Sequence, residues 1–172
     1  MKDNYDISKL NKKKKKVNSR AKGSTFERQI AKILNERFNT SEFSRTPGSG
    51  AFATTHSLPD HLKIYGDLIT PQNFKFCIEC KKGYNDESIY SLYNYSSNFW
   101  GFIDQCQKDA DKCGKFPMLI FKQDRQKTLA VIPSNISILN TNKYIEIHKD
   151  NIYYKIYLFD DLLKEEDIIW LD

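Results

Sequence analysis

The stretch Gly66 to Tyr84, GDLITPQNFKFCIECKKGY, decides the reading of this chain. Thr70-Pro71-Gln72-Asn73 has turn chemistry and divides the region into two predicted strands, Leu62 to Thr70 and Phe74 to Lys82. The first strand carries Asp67. On the second, a period of two puts Cys77, Glu79 and Lys81 on one face and Ile78 and Cys80 on the other. Two carboxylates and a lysine held on adjacent strands are suited to metal-dependent phosphodiester cleavage. Mg²⁺ prefers oxygen ligands, keeps several of its waters and lowers their pKa, so two or three carboxylates are enough to hold it. Asp67 and Glu79 fit as ligands, with the Cys80 backbone carbonyl as a third. Lys81 is placed to orient the attacking water. Glu-x-Lys alone is common on surface strands, so the weight falls on what accompanies it.

Upstream, Ser24 to Phe38, STFERQIAKILNERF, predicts a helix, because Phe26, Ile30, Ile33, Leu34 and Phe38 recur at helical spacing. Glu27 has two readings there. Ser24 and Glu27 make a capping box at the helix start. Glu27 also falls inside the apolar arc, where a buried carboxylate needs a partner such as a shared cation. A short strand, Glu42 to Arg45, then leads into TPGSGA. Arg45, Thr46 and Ser49 offer donors, and Gly48 and Gly50 permit close backbone approach. The loop reads as a phosphate holder or as ordinary surface. It is not a P-loop, because the Lys-Ser/Thr ending and spacing are absent.

Three further patterns are read as decoys. His56, Asp60 and His61 lack the third or fourth ligand at regular spacing that zinc requires, and Pro59-Asp60 precedes the strand instead of lying on it. Cys77-x-x-Cys80 is split across two strand faces, which argues against a shared metal or an intrastrand disulfide.

Downstream, Gly83 to Ser97 is polar and tyrosine-rich, read as a loop plus a short helix that stacks on bases, packs on a backbone or forms a dimer surface. Asn98 to Cys113 predicts a second helix with an apolar stripe and Gly114 as its stop. Strands are expected at Pro117 to Lys122 and Thr128 to Ile132. A hairpin is expected from Lys143 to His148 and Ile152 to Leu158, then a terminal helix from Phe159 to Asp167.

Composition sets the outer bounds. The 172 residues suit one domain with appendages, and 40% hydrophobic residues with ten Tyr and eleven Phe can fill a core. The net charge of +5 is uneven: Met1 to Lys22 holds nine Lys or Arg against two Asp. Lys12, Lys13, Lys14, Lys15 and Lys16 form an expected disordered, phosphate-binding arm. No apolar run reaches the roughly 18 to 20 residues of a membrane span, and no apolar signal region opens the chain. Four cysteines in that setting suggest reduced thiols in a cytosol-like compartment, bacterial or phage-infected, or a nucleus in a eukaryotic host.

The order of these elements resembles the PD-(D/E)xK nuclease superfamily, and within it the archaeal and phage-type Holliday-junction resolvases. The resemblance rests on KGSTFE (Lys22 to Glu27), SRTPGSGA (Ser44 to Ala51), Gly66-Asp67 and IECK (Ile78 to Lys81). It implies an α/β (α+β) fold, a mixed central β-sheet flanked by helices with a restriction-endonuclease-like core. It implies Mg²⁺ or Mn²⁺ as cofactor, DNA as partner and a homodimer acting on branched DNA in recombination or repair. Catalytic roles fall to Glu27, Asp67, Glu79 and Lys81, with Glu27 also among the expected metal ligands. Arg45, Thr46, Ser49 and Lys82 are expected on the DNA, and Gln105 stands where many members carry a helical glutamine facing the site. The expected layout is a basic tail at 1–22, a nuclease core at 23–133 and an extension at 134–172. The alternatives are a restriction, homing or repair nuclease on duplex DNA, and a non-catalytic nucleic-acid-binding module.

Overall fold

The computed structural model describes residues 19–47 and 65–172. Helix α1 spans Ser19–Phe38 and buries Phe26, Ile30, Ala31 and Leu34, the residues that share its apolar stripe. It ends at Asn39, whose φ of 49° is the left-handed conformation that asparagine tolerates. The Asn35 side chain then stands in for a strand partner. Its Nδ2 donates to the Phe43 carbonyl at 2.8 Å, and the Phe43 amide donates to its Oδ1 at 2.9 Å. This latch turns the chain back along α1 into β1, Ser44–Arg45.

Strand β1 pairs antiparallel with β2, Leu68–Ile69. Both are shorter than predicted, and the part of the expected Leu62 to Thr70 strand up to residue 64 lies outside the described residues. Strand β3, Phe76–Lys82, begins the main sheet. A 3-10 helix at Ile89–Tyr93 and helix α2, Asn98–Cys113, lead into β4, Phe116–Lys122, which pairs parallel to β3. Gly114 closes α2 at φ 67°, in the left-handed cap that its sequence position predicts.

Strands β5 (Leu129–Pro133), β6 (Ile145–Lys149) and β7 (Ile152–Leu158) complete a five-stranded sheet in the order β3-β4-β5-β7-β6, antiparallel beyond β4. The β6–β7 hairpin turns on Asp150 and Asn151, both at positive φ, as a two-residue type I′ turn requires. The predicted mixed sheet flanked by helices is therefore present, with a restriction-endonuclease-like α+β architecture.

Both faces of the sheet are covered. On one side α1 packs Phe26, Ile30 and Leu34 against Ile78, Cys80, Met118 and Ile120. On the other, α2 packs Phe99, Trp100, Ile103 and Cys106 against Leu119, Phe121 and Val131. Burying a side chain such as Ile78 contributes about 1.5–3 kcal/mol, so β3 is held firmly from the α1 side. The predicted terminal helix is instead two short ones, α3 (Phe159–Leu162) and α4 (Asp167–Trp170). The break lets Trp170 stack on Phe74 and lets Leu171 bridge to Phe74, closing the core at the start of β3. No helix among the described residues is long and apolar enough to cross a membrane.

Candidate active site

Asp67 sits at a bend just before β2 and is tied to β3 at two points. Its amide donates to the Ile78 carbonyl at 2.8 Å, and its Oδ2 accepts the Cys80 amide at 2.8 Å. Gly66 makes the approach possible. Its φ is 75°, and a Cβ there would lie 2.7 Å from the Ile78 carbonyl oxygen and 2.9 Å from Cys77 Sγ. The Asp67 carbonyl in turn accepts the Thr46 amide at 2.9 Å, which joins β1 to the same corner.

Glu79 is 2% exposed. Its ion-pair partner is the Lys81 ammonium, two residues along the same strand face. Glu79 Oε1 is buried and has no hydrogen bond of regular geometry. Burial pushes its carboxyl up to about 7, the Asp67 charge adds to the rise, and Lys81 opposes both. For Lys81, burial works to lower the pKa, but the Glu79 carboxylate outweighs it and holds the ammonium above its ordinary value. Lys81 Nζ also donates to Gln105 Oε1 at 3.2 Å and lies 5.2 Å from the centre of the Phe102 ring. Gln105 on α2 is thus brought to the lysine.

Glu27 is resolved between its two readings. Helix α1 starts upstream of Ser24, so Ser24 is inside the helix and its hydroxyl donates back to the Ala21 carbonyl at 3.3 Å. The expected capping box does not form, because an N-cap needs non-helical backbone. Glu27 is instead buried and paired with Arg45 Nε across the α1–β1 corner. The sequence pattern predicts Arg45 as a phosphate contact and carries no signal for this pairing, which joins residues eighteen positions apart. Thr46 Oγ1, beside Arg45, is buried with no hydrogen-bond partner among the described residues. Lys82 turns to the opposite face from Lys81, its Nζ 5.5 Å from the Phe26 ring centre. Ser49, Lys12, Lys13, Lys14, Lys15 and Lys16 lie outside the described residues, as do His56, Asp60 and His61.

The cysteines divide as the strand period requires. Cys80 joins the core against α1, and Cys77 faces α2, where Cys106 Sγ approaches its carbonyl at 3.8 Å. All four cysteines are free thiols. Burial pushes the Cys80 thiol well up, with Asp67 and Glu79 adding to it, so it packs as a neutral apolar group.

Among the described residues, no three His, Cys, Asp or Glu side chains already form a metal cage. The donor set does fit a hard divalent cation that keeps most of its waters. It offers two carboxylates, Asp67 locked by a backbone N–H and Glu79 buried against the Lys81 ammonium.

Residues 18–169 match the protein family described as "Phage putative PDDEXK endonuclease". Protein D14 of Escherichia phage T5 is 33% identical over 165 residues, covering 89% of this chain and 98% of that protein. No solved structure matches the chain. With the match running from the first turn of α1 into the last helix, and with Asp67 tied to the strand that carries Glu79 and Lys81, the chain belongs to the phage PDDEXK endonuclease family.

Proposed function

We propose that this chain is a divalent-metal-dependent endonuclease that hydrolyses phosphodiester bonds in DNA. The observation that carries the proposal is the clamp of Asp67 onto the Cys80 amide beside the buried Glu79–Lys81 pair. Nucleases of this superfamily usually use divalent metals. Mg²⁺, or Mn²⁺ in its place, would be held by Asp67, Glu79 and the Cys80 carbonyl, and when bound it polarises the phosphate and lowers the pKa of its water.

The chain's own residues supply the rest. Asp67 is fixed by its acceptor bond, so it contributes charge without reorganising. Lys81 stays protonated between Glu79 and Gln105 and orients the attacking water. Glu27 holds Arg45 at the β1 corner, and Arg45 and Thr46 donate to the phosphate. Lys82, Ser49 and the lysine run Lys12 to Lys16 add electrostatic contact with the backbone.

Branched DNA such as a four-way junction is the proposed substrate form and a homodimer the proposed assembly, on the strength of the resolvase-like motif order. A panel of four-way junctions, flaps and plain duplex with Mg²⁺ tests the substrate reading. Faster cleavage of branched forms is expected, and equal cleavage of plain duplex would move the protein to the restriction or repair class. Binding without cleavage under any divalent metal would favour a non-catalytic module.

A further inference from the structure

The tyrosine-rich segment that follows the catalytic strand presents an unusual surface. Ile89 and the rings of Tyr90 and Tyr93 stand in solvent, the two tyrosines at 79% and 86% exposure. Large rings left outside carry a cost in lost burial, and here the backbone beneath them is pinned. The Gln123 side-chain amide donates to the carbonyls of Tyr84 and Glu87. Asn85 and Asp124 exchange two hydrogen bonds at 2.9 and 3.0 Å. Ser91 Oγ accepts the Ser88 amide at 3.1 Å, and Trp100 Nε1 donates to the Leu92 carbonyl at 3.1 Å. The segment is held as a scaffold, with two rings aimed outward.

The scaffold is continuous with the active site. The Gly83 amide donates to the Lys122 carbonyl at 2.9 Å, which extends the β3–β4 ladder past Lys82. Tyr84 packs edge-on against Phe102 at 4.6 Å, and Phe102 is the ring over which Lys81 Nζ lies. The turn that pins Asn85 also receives Lys22 of α1, whose Nζ is 2.7 Å from Asp124 Oδ2. The basic end of α1, the catalytic lysine and the tyrosine segment therefore converge on one end of the sheet.

Charge separates their tasks. Residues 83–97 include Asp86 and Glu87 and no lysine or arginine, so the segment is not built to attract phosphate. The positive charge beside it comes from Lys82 and from Lys22, which shares its ammonium with Asp124. Flat aromatic faces beside a cationic track are what a nucleic acid strand with unstacked bases requires, because every base has a π face.

We propose that residues 84–95 form a base-stacking platform on which Tyr90 and Tyr93 receive unpaired nucleotides of the DNA next to the cleavage site. This rests on the nuclease reading above and gives it a substrate feature, an unpaired or splayed base near the scissile bond.

The test is metal-free and so independent of cleavage. The full-length protein in EDTA is titrated with a flap DNA carrying 2-aminopurine at the unpaired positions, and with the matching fully paired duplex. Wild type is expected to quench the flap fluorophore on binding. The Tyr90→Ala/Tyr93→Ala double variant is expected to lose the quench and bind the flap roughly 10-fold or more weakly, with duplex binding little changed. Should the alanine variant melt early, Tyr90→Leu/Tyr93→Leu and Tyr90→Phe/Tyr93→Phe decide. Stacking needs the quench lost with leucine and kept with phenylalanine. Unchanged quench and affinity in the alanine or leucine variants would overturn the platform. So would a drop in sedimentation mass on substitution, which would assign the rings to an interface between copies. Absence of cleavage by wild type with metal would sink the nuclease reading and leave this readout standing.

Discussion

The Cys80 amide donates to Asp67 Oδ2 at 2.8 Å, so a backbone N–H of the Glu79-bearing strand fixes a carboxylate at the bend just before β2. That one bond holds the Asp67 carboxylate against the β3 backbone, next to the residue that carries the second acid. On the proposed reaction it makes Asp67 structural and chemical at once, and substitutions can separate the two roles.

Asp67→Asn keeps an oxygen to accept the Cys80 amide and removes the charge. Its thermal midpoint is expected to stay near wild type while cleavage falls about 10²- to 10³-fold, in the range seen when a preorganised electrostatic group is lost. Asp67→Ala strands a buried N–H and is expected to cost about 1–3 kcal/mol in a denaturant melt as well. Equal stability of the two variants would count against the clamp.

Lys81 is the counter-ion of a carboxylate that is 2% exposed. Lys81→Met should leave the Glu79 carboxylate buried and uncompensated, destabilising the fold by up to about 3–5 kcal/mol at alkaline pH and by less where Glu79 takes up a proton. Adding Glu79→Gln should recover much of that loss, because no charge is then left unpaired. A double-mutant cycle by urea unfolding measures the coupling, and additive losses would mean that the pair is not the controlling contact.

The pH dependence of the metal-free protein follows from Glu79, held up to about 7 chiefly by burial and then by Asp67. A raised folded-state pKa means that the folded state holds this proton more tightly than the unfolded chain. The resulting stabilisation is fully present below the ordinary carboxylate pKa and is lost as pH rises through about 7. In EDTA, the thermal midpoint is expected to fall between pH 5 and pH 8 by an amount that Glu79→Gln reduces. Millimolar Mg²⁺ at pH 8 should raise it again in wild type and much less in the variant.

Gly66→Ala places a Cβ 2.7 Å from the Ile78 carbonyl oxygen at a φ of 75°. Backbone strain alone is about 1–3 kcal/mol, and the contact adds to it. The strand pair would have to separate, so loss of Mg²⁺-induced stabilisation is expected together with a lower melting temperature. Gly101→Ala is the control, since a Cβ there meets nothing within 4 Å.

Local chemistry made much of this legible in advance. The period of two on β3 correctly separated Cys77, Glu79 and Lys81 from Ile78 and Cys80, since one side meets α2 and the other α1. Helix α2 and its Gly114 stop, and strands β4 and β7, followed from apolar spacing and turn residues. The failures came where distant residues override local signals. Ser24 and Glu27 satisfy a capping pattern, yet the helix runs through them and Arg45 takes the carboxylate. The terminal helix breaks in two because Trp170 is drawn into the aromatic cluster around Phe74. The Asp67–Cys80 bond was invisible because a backbone amide has no sequence signature.

The most direct test of the central claim is a Mg²⁺-dependent cleavage assay on branched and linear DNA, with wild type, Asp67→Asn, Glu79→Gln and Lys81→Ala compared at equal DNA occupancy. Metal-dependent cleavage by wild type and its loss in all three variants, with binding retained, is the predicted result. Full cleavage by the three variants, or no cleavage by wild type with any divalent metal, would contradict it.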